Sequence, residues 1–164
     1  MWIPVLIIVI TIALMIGPIL LLRPTARQSQ VAELRNLALK QGLSVKIQPN
    51  PIRASAQLAV YSCSLSKEKL DKLIQLDPPW TLIRQNYIHD LHFFRDWDWL
   101  GSSRPPDSMQ NYLQLHLVDL DSSIIGVEIT RHSVGCFWTE KVGQKQPELA
   151  VTEIHAWLKG LAEV

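Results

Sequence analysis

The chain has 164 residues, of which 48% are hydrophobic and 19% charged, with a formal net charge of +1 and two cysteines. These figures exclude a disordered chain, a collagen-like repeat, a disulfide-stapled miniprotein and a multi-pass transporter. The charge balance also speaks against a nucleic-acid binder defined by net basicity.

The averages conceal two populations. Residues Trp2 to Leu22 carry no charge, and 17 of these 21 are hydrophobic. Without residues 1–22 the remaining 142 are about 43% hydrophobic, enough for one domain with one core. An apolar helix of 21 residues rises about 31 Å, near the hydrocarbon thickness of a bilayer. There is no basic n-region and no A-x-A cleavage pattern to mark a signal peptide. Residues 1–23 are therefore expected to form a transmembrane anchor. Trp2 suits the outer interface, and Leu22 and Arg23 the inner one. No Lys or Arg precedes the span, whereas Arg23, Arg27, Arg35 and Lys40 follow it. Basic flanks stay on the cytoplasmic side. The expected location is a bacterial inner membrane, with the N-terminus outside and the C-terminal domain in the cytoplasm. The expected partners are the bilayer, anionic headgroups held by those four cations, another membrane protein, and no nucleic acid.

Residues 23–53 carry six positive charges and one negative; residues 54–164 carry ten and fourteen. A basic section of +5 thus precedes an acidic one of −4. Residues 24–42 are expected to be a basic amphipathic helix beside the membrane, with Val31, Leu34, Leu37 and Ala38 on one stripe and Gly42 as its stop signal. Residues 43–164 are expected to be the cytosolic domain. In it, Leu43 to Ile47 alternates as a strand, Pro49-Asn50-Pro51 turns, and Ala54 to Ser64 forms a second strand. Lys67 to Leu76 has helical spacing, with Pro78-Pro79 after it. A strand over Trp80–Arg84 and another over Leu91–Trp97 follow. Asp107 is placed to cap a helix, with Gln110 three residues on. Ile124–Thr130 and Gly135–Glu140 make a hairpin, and Pro147 opens a final helix whose apolar face is Ala150, Ile154, Trp157, Leu158 and Leu161. Three successive hairpin-plus-helix units predict an α+β two-layer sandwich: a mainly antiparallel sheet of about six strands covered by helices, preceded by the transmembrane helix.

The stretch from His89 to Trp99 is the richest in chemistry. His89, Asp90, His92, Asp96 and Asp98 are donors of the type that bind zinc or iron. On a strand, however, His89 and His92 face opposite ways. Arg95, Trp97, Trp99 and Arg104 are instead the residue types that anchor interfaces, and they define a candidate interaction surface. Cys63 and Cys136 lack metal-ligand spacing and are expected as buried thiols. Glu128 and Glu140 fall on adjacent expected strands, where they could pair across the hairpin. No G-x-S-x-G elbow and no phosphate-binding loop is present, so no catalytic residue and no cofactor is expected.

The run Leu22-Arg23-Pro24, followed by Arg27 and a basic helix ending at Gly42, resembles the YajC-type auxiliary subunits of the bacterial preprotein translocase. The resemblance covers about residues 1–47. It implies an outward N-terminus, one span and a small cytosolic domain. The chain departs from that family at Gly42-Leu43-Ser44-Val45, where a Gly-Asp pair and a glycine-rich strand are expected. The whole chain looks like a group of small single-span bacterial inner-membrane proteins. The leading functional expectation is a membrane-tethered, non-enzymatic interaction domain, with translocase association as one version. The alternative is an anchored enzyme or ligand binder built on His89, Asp90, His92, Asp96 and Asp98.

Overall fold

The computed structural model describes residues 2–21, 23–53, 55–66, 79–85 and 91–164, with the backbone alone for 15–21. The chain divides into two compact units, one up to Ala32 and one from Glu33 to Val164.

The first unit holds helix α1 (Ile3–Leu21) and the first turns of α2 (Ala26–Lys40). The α2 start is set by a reciprocal cap. The Gln28 backbone N–H donates to Thr25 Oγ1 at 3.2 Å, and the Thr25 N–H donates to Gln28 Oε1 at 2.8 Å. This satisfies two of the donors that a helix start leaves orphaned. The expected transmembrane anchor does not stand. Among the described residues, no helix is long and apolar enough to cross a membrane. The orientation and the inner-membrane location drawn from that span lose their basis with it. Of the three residues assigned to the anchor, Trp2 and Arg23 are exposed and Leu22 lies outside the described residues.

The second unit is an α+β fold. Its sheet has seven strands: β1 (Ser44–Pro49), β2 (Gln57–Ser64), β3 (Trp80–Arg84), β4 (His92–Phe94), β5 (Trp97–Leu100), β6 (Ile124–Ile129) and β7 (Ser133–Trp138). Their order is β1-β2-β7-β6-β3-β5-β4, and every neighbouring pair is antiparallel. Helices α3 (Asp107–His116) and α4 (Pro147–Glu163) complete the described elements, four helices in all. The expected helix over Lys67–Leu76 lies outside the described residues.

The period-2 alternation of the strands gives the sheet two different faces. One cross-strand row reads Val45, Tyr61, Cys136, Val127, Leu82, Trp99. The last five of these belong to the main core, where Leu34 and Ala38 of α2, Leu113 of α3, and Val151, Ile154, Leu158 and Leu161 of α4 also lie. The aromatic rings there meet edge to face, Tyr61 with Trp138 at 4.9 Å and Trp80 with Trp99 at 5.4 Å. The row on the other face reads Lys46, Val60, Phe137, Gly126, Ile83, Asp98, His92. Val60, Phe137 and Ile83 are buried there as well.

Three local readings need correction. The single strand expected over Leu91–Trp97 is a hairpin, β4 turning into β5 at Arg95-Asp96, with Arg95 in the left-handed region at φ 52°. Asp107 is the first residue of α3 rather than its cap. The cap position is Pro106, without a side-chain hydrogen bond, and Gln110 Nε2 instead donates to the Pro105 carbonyl at 2.9 Å. Glu128 faces Gly135 across the β6–β7 pair, and Glu140 lies beyond the end of β7, so the two carboxylates do not pair. Gly42 does stop α2. At φ 85° it lets the Gly42 N–H reach the Leu39 carbonyl at 3.1 Å and the Leu43 N–H reach that of Ala38 at 2.9 Å.

Candidate functional site

The β4–β5 hairpin carries the described part of the His/Asp/Trp stretch. Alternation in β5 turns Trp97 and Trp99 to the core face and Asp98 to the other. Trp97 is 1% exposed and Trp99 5%. They offer no exposed aromatic patch, so the interaction surface expected at Arg95, Trp97, Trp99 and Arg104 has lost its apolar centre. The arginines lie over rings: Arg95 over Phe94 at 5.4 Å and Arg104 over Trp99 at 5.2 Å. Arg104 also donates through Nη1 to the carbonyls of Gly101 and Ser103, at 2.8 and 2.7 Å.

The described acids of the same stretch, Asp96 and Asp98, turn to different partners. Asp98, buried at 3% exposure, meets His92 Nδ1 through Oδ1 at 2.9 Å. Its Oδ2 is buried with no hydrogen-bond partner among the described residues. Asp96 turns instead to Arg84, with Oδ2 2.9 Å from Nε. The pair is off line for a hydrogen bond, so it acts as an ion pair. The Arg84 guanidinium also stacks on Trp97 at 4.7 Å and donates to the carbonyls of Asp121 and Leu120 at 3.0 and 3.2 Å. It thereby ties the hairpin to the turn after α3. His89 and Asp90 lie outside the described residues. Among the described residues, no group of three or more His, Cys, Asp or Glu is placed to hold a metal ion.

A second cluster joins residues that no sequence pattern connects. Arg35 of α2 forks onto Glu140, with Nε to Oε1 at 2.7 Å and Nη2 to Oε2 at 2.9 Å. The Tyr61 hydroxyl, from the middle of β2, donates to the same Oε1 at 2.9 Å. Glu140 is 6% exposed and sits at φ 59°, a left-handed conformation that costs a non-glycine residue energy and persists only when its surroundings hold it. Burial first, and then the Glu140 carboxylate, pushes the Tyr61 phenol well above its ordinary range; the Glu140 hydrogen bond holds the Arg35 guanidinium up as well. A cleft of about 340 Å³ opens beside this cluster, bordered by Ile47, Gln57 and Trp138.

A third feature lies where α3 ends. There the turn carrying Asp119 and Asp121 comes beside α4 and Lys145, around a cleft of about 300 Å³. Its floor is apolar: Leu120, Ile124, Ile154 and Trp157. Its rim carries three carboxylates, from Asp119, Asp121 and Glu153, together with His116 and Lys145. The Lys145 ammonium sits 2.7 Å from Glu153 Oε2 and 3.9 Å from Asp121 Oδ2. The Glu153 hydrogen bond raises the Lys145 pKa. Hydrogen bonds from Ser123, the side-chain one first, hold the Asp121 carboxyl below the usual range. The Trp157 indole N–H is closed off from solvent and meets no acceptor among the described residues.

The thiols show no activation. Cys136 is fully buried, and burial raises both it and Cys63. Cys63 Sγ approaches the Leu158 carbonyl at 3.6 Å. A raised thiol is a poor nucleophile.

No family model matches this chain, and no curated protein or solved structure matches it. The resemblance drawn from Leu22-Arg23-Pro24 to the translocase auxiliary subunits, and to single-span inner-membrane proteins, is therefore withdrawn: no family match supports it, and the span it needed is not found among the described residues. That motif was a basic exit after an apolar run, a pattern that topology alone produces.

Proposed function

We propose that the second unit is a non-enzymatic interaction domain whose contact point is the cleft between α3 and α4. The carrying observation is the make-up of that cleft: an apolar floor under a few convergent polar groups, open to solvent, as binding clefts are built. Three charged pairs elsewhere support this reading by being committed to contacts within the fold. Arg35 is bound to Glu140, Arg84 to Asp96, and His92 to Asp98. Arg35 is thereby a poor candidate for the anionic headgroups suggested for it along with Arg23, Arg27 and Lys40. Among the described residues, the rival, an enzyme or ligand binder on the His/Asp stretch, rests on the His92–Asp98 pair, because Asp96 is engaged by Arg84.

The test is affinity capture of the full chain, cross-linked in its native cells, compared with an Asp119→Lys/Glu153→Lys variant. The expected outcome is at least one protein enriched by the parent and lost with the charge reversal. Enrichment of nothing, or of proteins indifferent to the reversal, overturns the reading.

A further inference from the structure

The α3–α4 cleft also reveals the chemistry of its occupant. Its rim already holds one organic cation, the chain's own Lys145 ammonium, between Glu153 and Asp121. Asp119 adds a third carboxylate at the same mouth. Against Lys145, and the Arg84 guanidinium behind Asp121, three carboxylates leave the rim a surplus of one negative charge. The floor below is hydrocarbon and indole, suited to the stem of a long side chain rather than to a bare ion. Trp157 borders the cleft and can take a cation against its ring. A metal ion would satisfy the carboxylates but waste the floor, and an anion is repelled.

We infer that this cleft binds the side chain of a basic residue, arginine above all, presented by a partner polypeptide, with Lys145 as the internal competitor that this residue displaces. A guanidinium spans two carboxylates in a planar fork, which the point charge of an ammonium does not. The apolar stem then lies along Ile154 and Trp157. Lys145 is 43% exposed, as is Asp121, and Glu153 is 50% exposed. Ion pairs this exposed exchange at little cost. The inference rests on the reading of the cleft as the contact point.

The experiment is an NMR titration of the full chain with Nα-acetyl-arginine methylamide, following the Trp157 indole resonance. The control ligand is the citrulline analogue, which has the same shape without the charge. Saturable binding is expected, about tenfold weaker for the citrulline analogue. An Asp119→Asn/Glu153→Gln variant is expected to lose affinity by a similar factor. Lys145→Met should tighten binding about threefold by removing the competitor, an effect that a merely structural lysine does not produce. Equal binding of the two ligands, no saturable shift, or unchanged affinity in Lys145→Met overturns the inference. If these arms fail while cellular capture still depends on Asp119 and Glu153, the contact point stands and only the arginine chemistry falls.

Discussion

Two clefts of similar size, about 340 and 300 Å³, each hold a cation–carboxylate pair at 2.7 Å, and the two pairs behave as opposites. At the first, the Glu140 side chain is 8% exposed, Arg35 binds it through two nitrogens, and Tyr61 adds a third hydrogen bond. At the second, Lys145 reaches Glu153 through one nitrogen, and both side chains are about half exposed. Equal distances therefore carry unequal energies. Breaking a buried, multiply bonded pair strands a charge away from water, whereas breaking an exposed one returns both partners to solvent. The first pair is a fastening between α2 and the sheet. The second is free to exchange.

The largest expected effect separates the two directly. Glu140→Ala should destabilise the fold by about 2–3 kcal/mol, somewhat below a fully buried pair because the Arg35 side chain is 37% exposed. Glu140→Gly should lose about 1 kcal/mol less, since glycine adopts φ 59° without penalty. Urea denaturation checks both, and equal losses would remove the left-handed strain from the account. Lys145→Met should change stability by less than about 0.5 kcal/mol in the same assay. A loss as large as that of Glu140→Ala would erase the contrast.

The smallest effect concerns pH at the second cleft. Asp121 titrates below its ordinary 3.8 in the folded chain. The folded state thus binds this proton less tightly than the unfolded one. The Asp121 contribution is present above 3.8 and is lost as pH falls through the lower folded value. Asp121→Asn should lower Tm slightly at pH 7 and leave it unchanged near pH 2, and thermal scans at both values read the difference. A Tm drop persisting at pH 2 would assign the effect to packing rather than to charge.

Much of the fold was legible because alternation and helical spacing are local. Leu82 and Trp80 declare the β3 core face by period 2, and Leu34 and Ala38 declare that of α2 by period 4. The β4–β5 hairpin was not legible: its turn at Arg95-Asp96 has neither glycine nor asparagine to signal a left-handed residue. The Thr25-Gln28 cap, by contrast, is written in the sequence as a local T-x-x-Q pattern. The clusters were hidden for a different reason. Arg35 and Glu140 lie 105 residues apart, and no local rule pairs them. The α3–α4 cleft left only fragments, a lone His116 and two aspartates after a helix, until the fold brought Lys145 and Glu153 beside them.

The strand order has a consequence in time. Ser64 pairs with Ser133 and Ala59 with Trp138, so β2 waits 69 to 79 residues for its inner neighbour. β3 waits for β6 in the same way. As the chain emerges from the ribosome, β1–β2 and β3–β5–β4 can each pair early, but they remain separate ribbons with bare inner edges until the β6–β7 hairpin arrives to join them. Such long-range closure is slow and leaves strand edges open meanwhile. The β6–β7 hairpin is thus the keystone of assembly: a chain cut short before residue 124 holds two half-sheets with nothing to unite them.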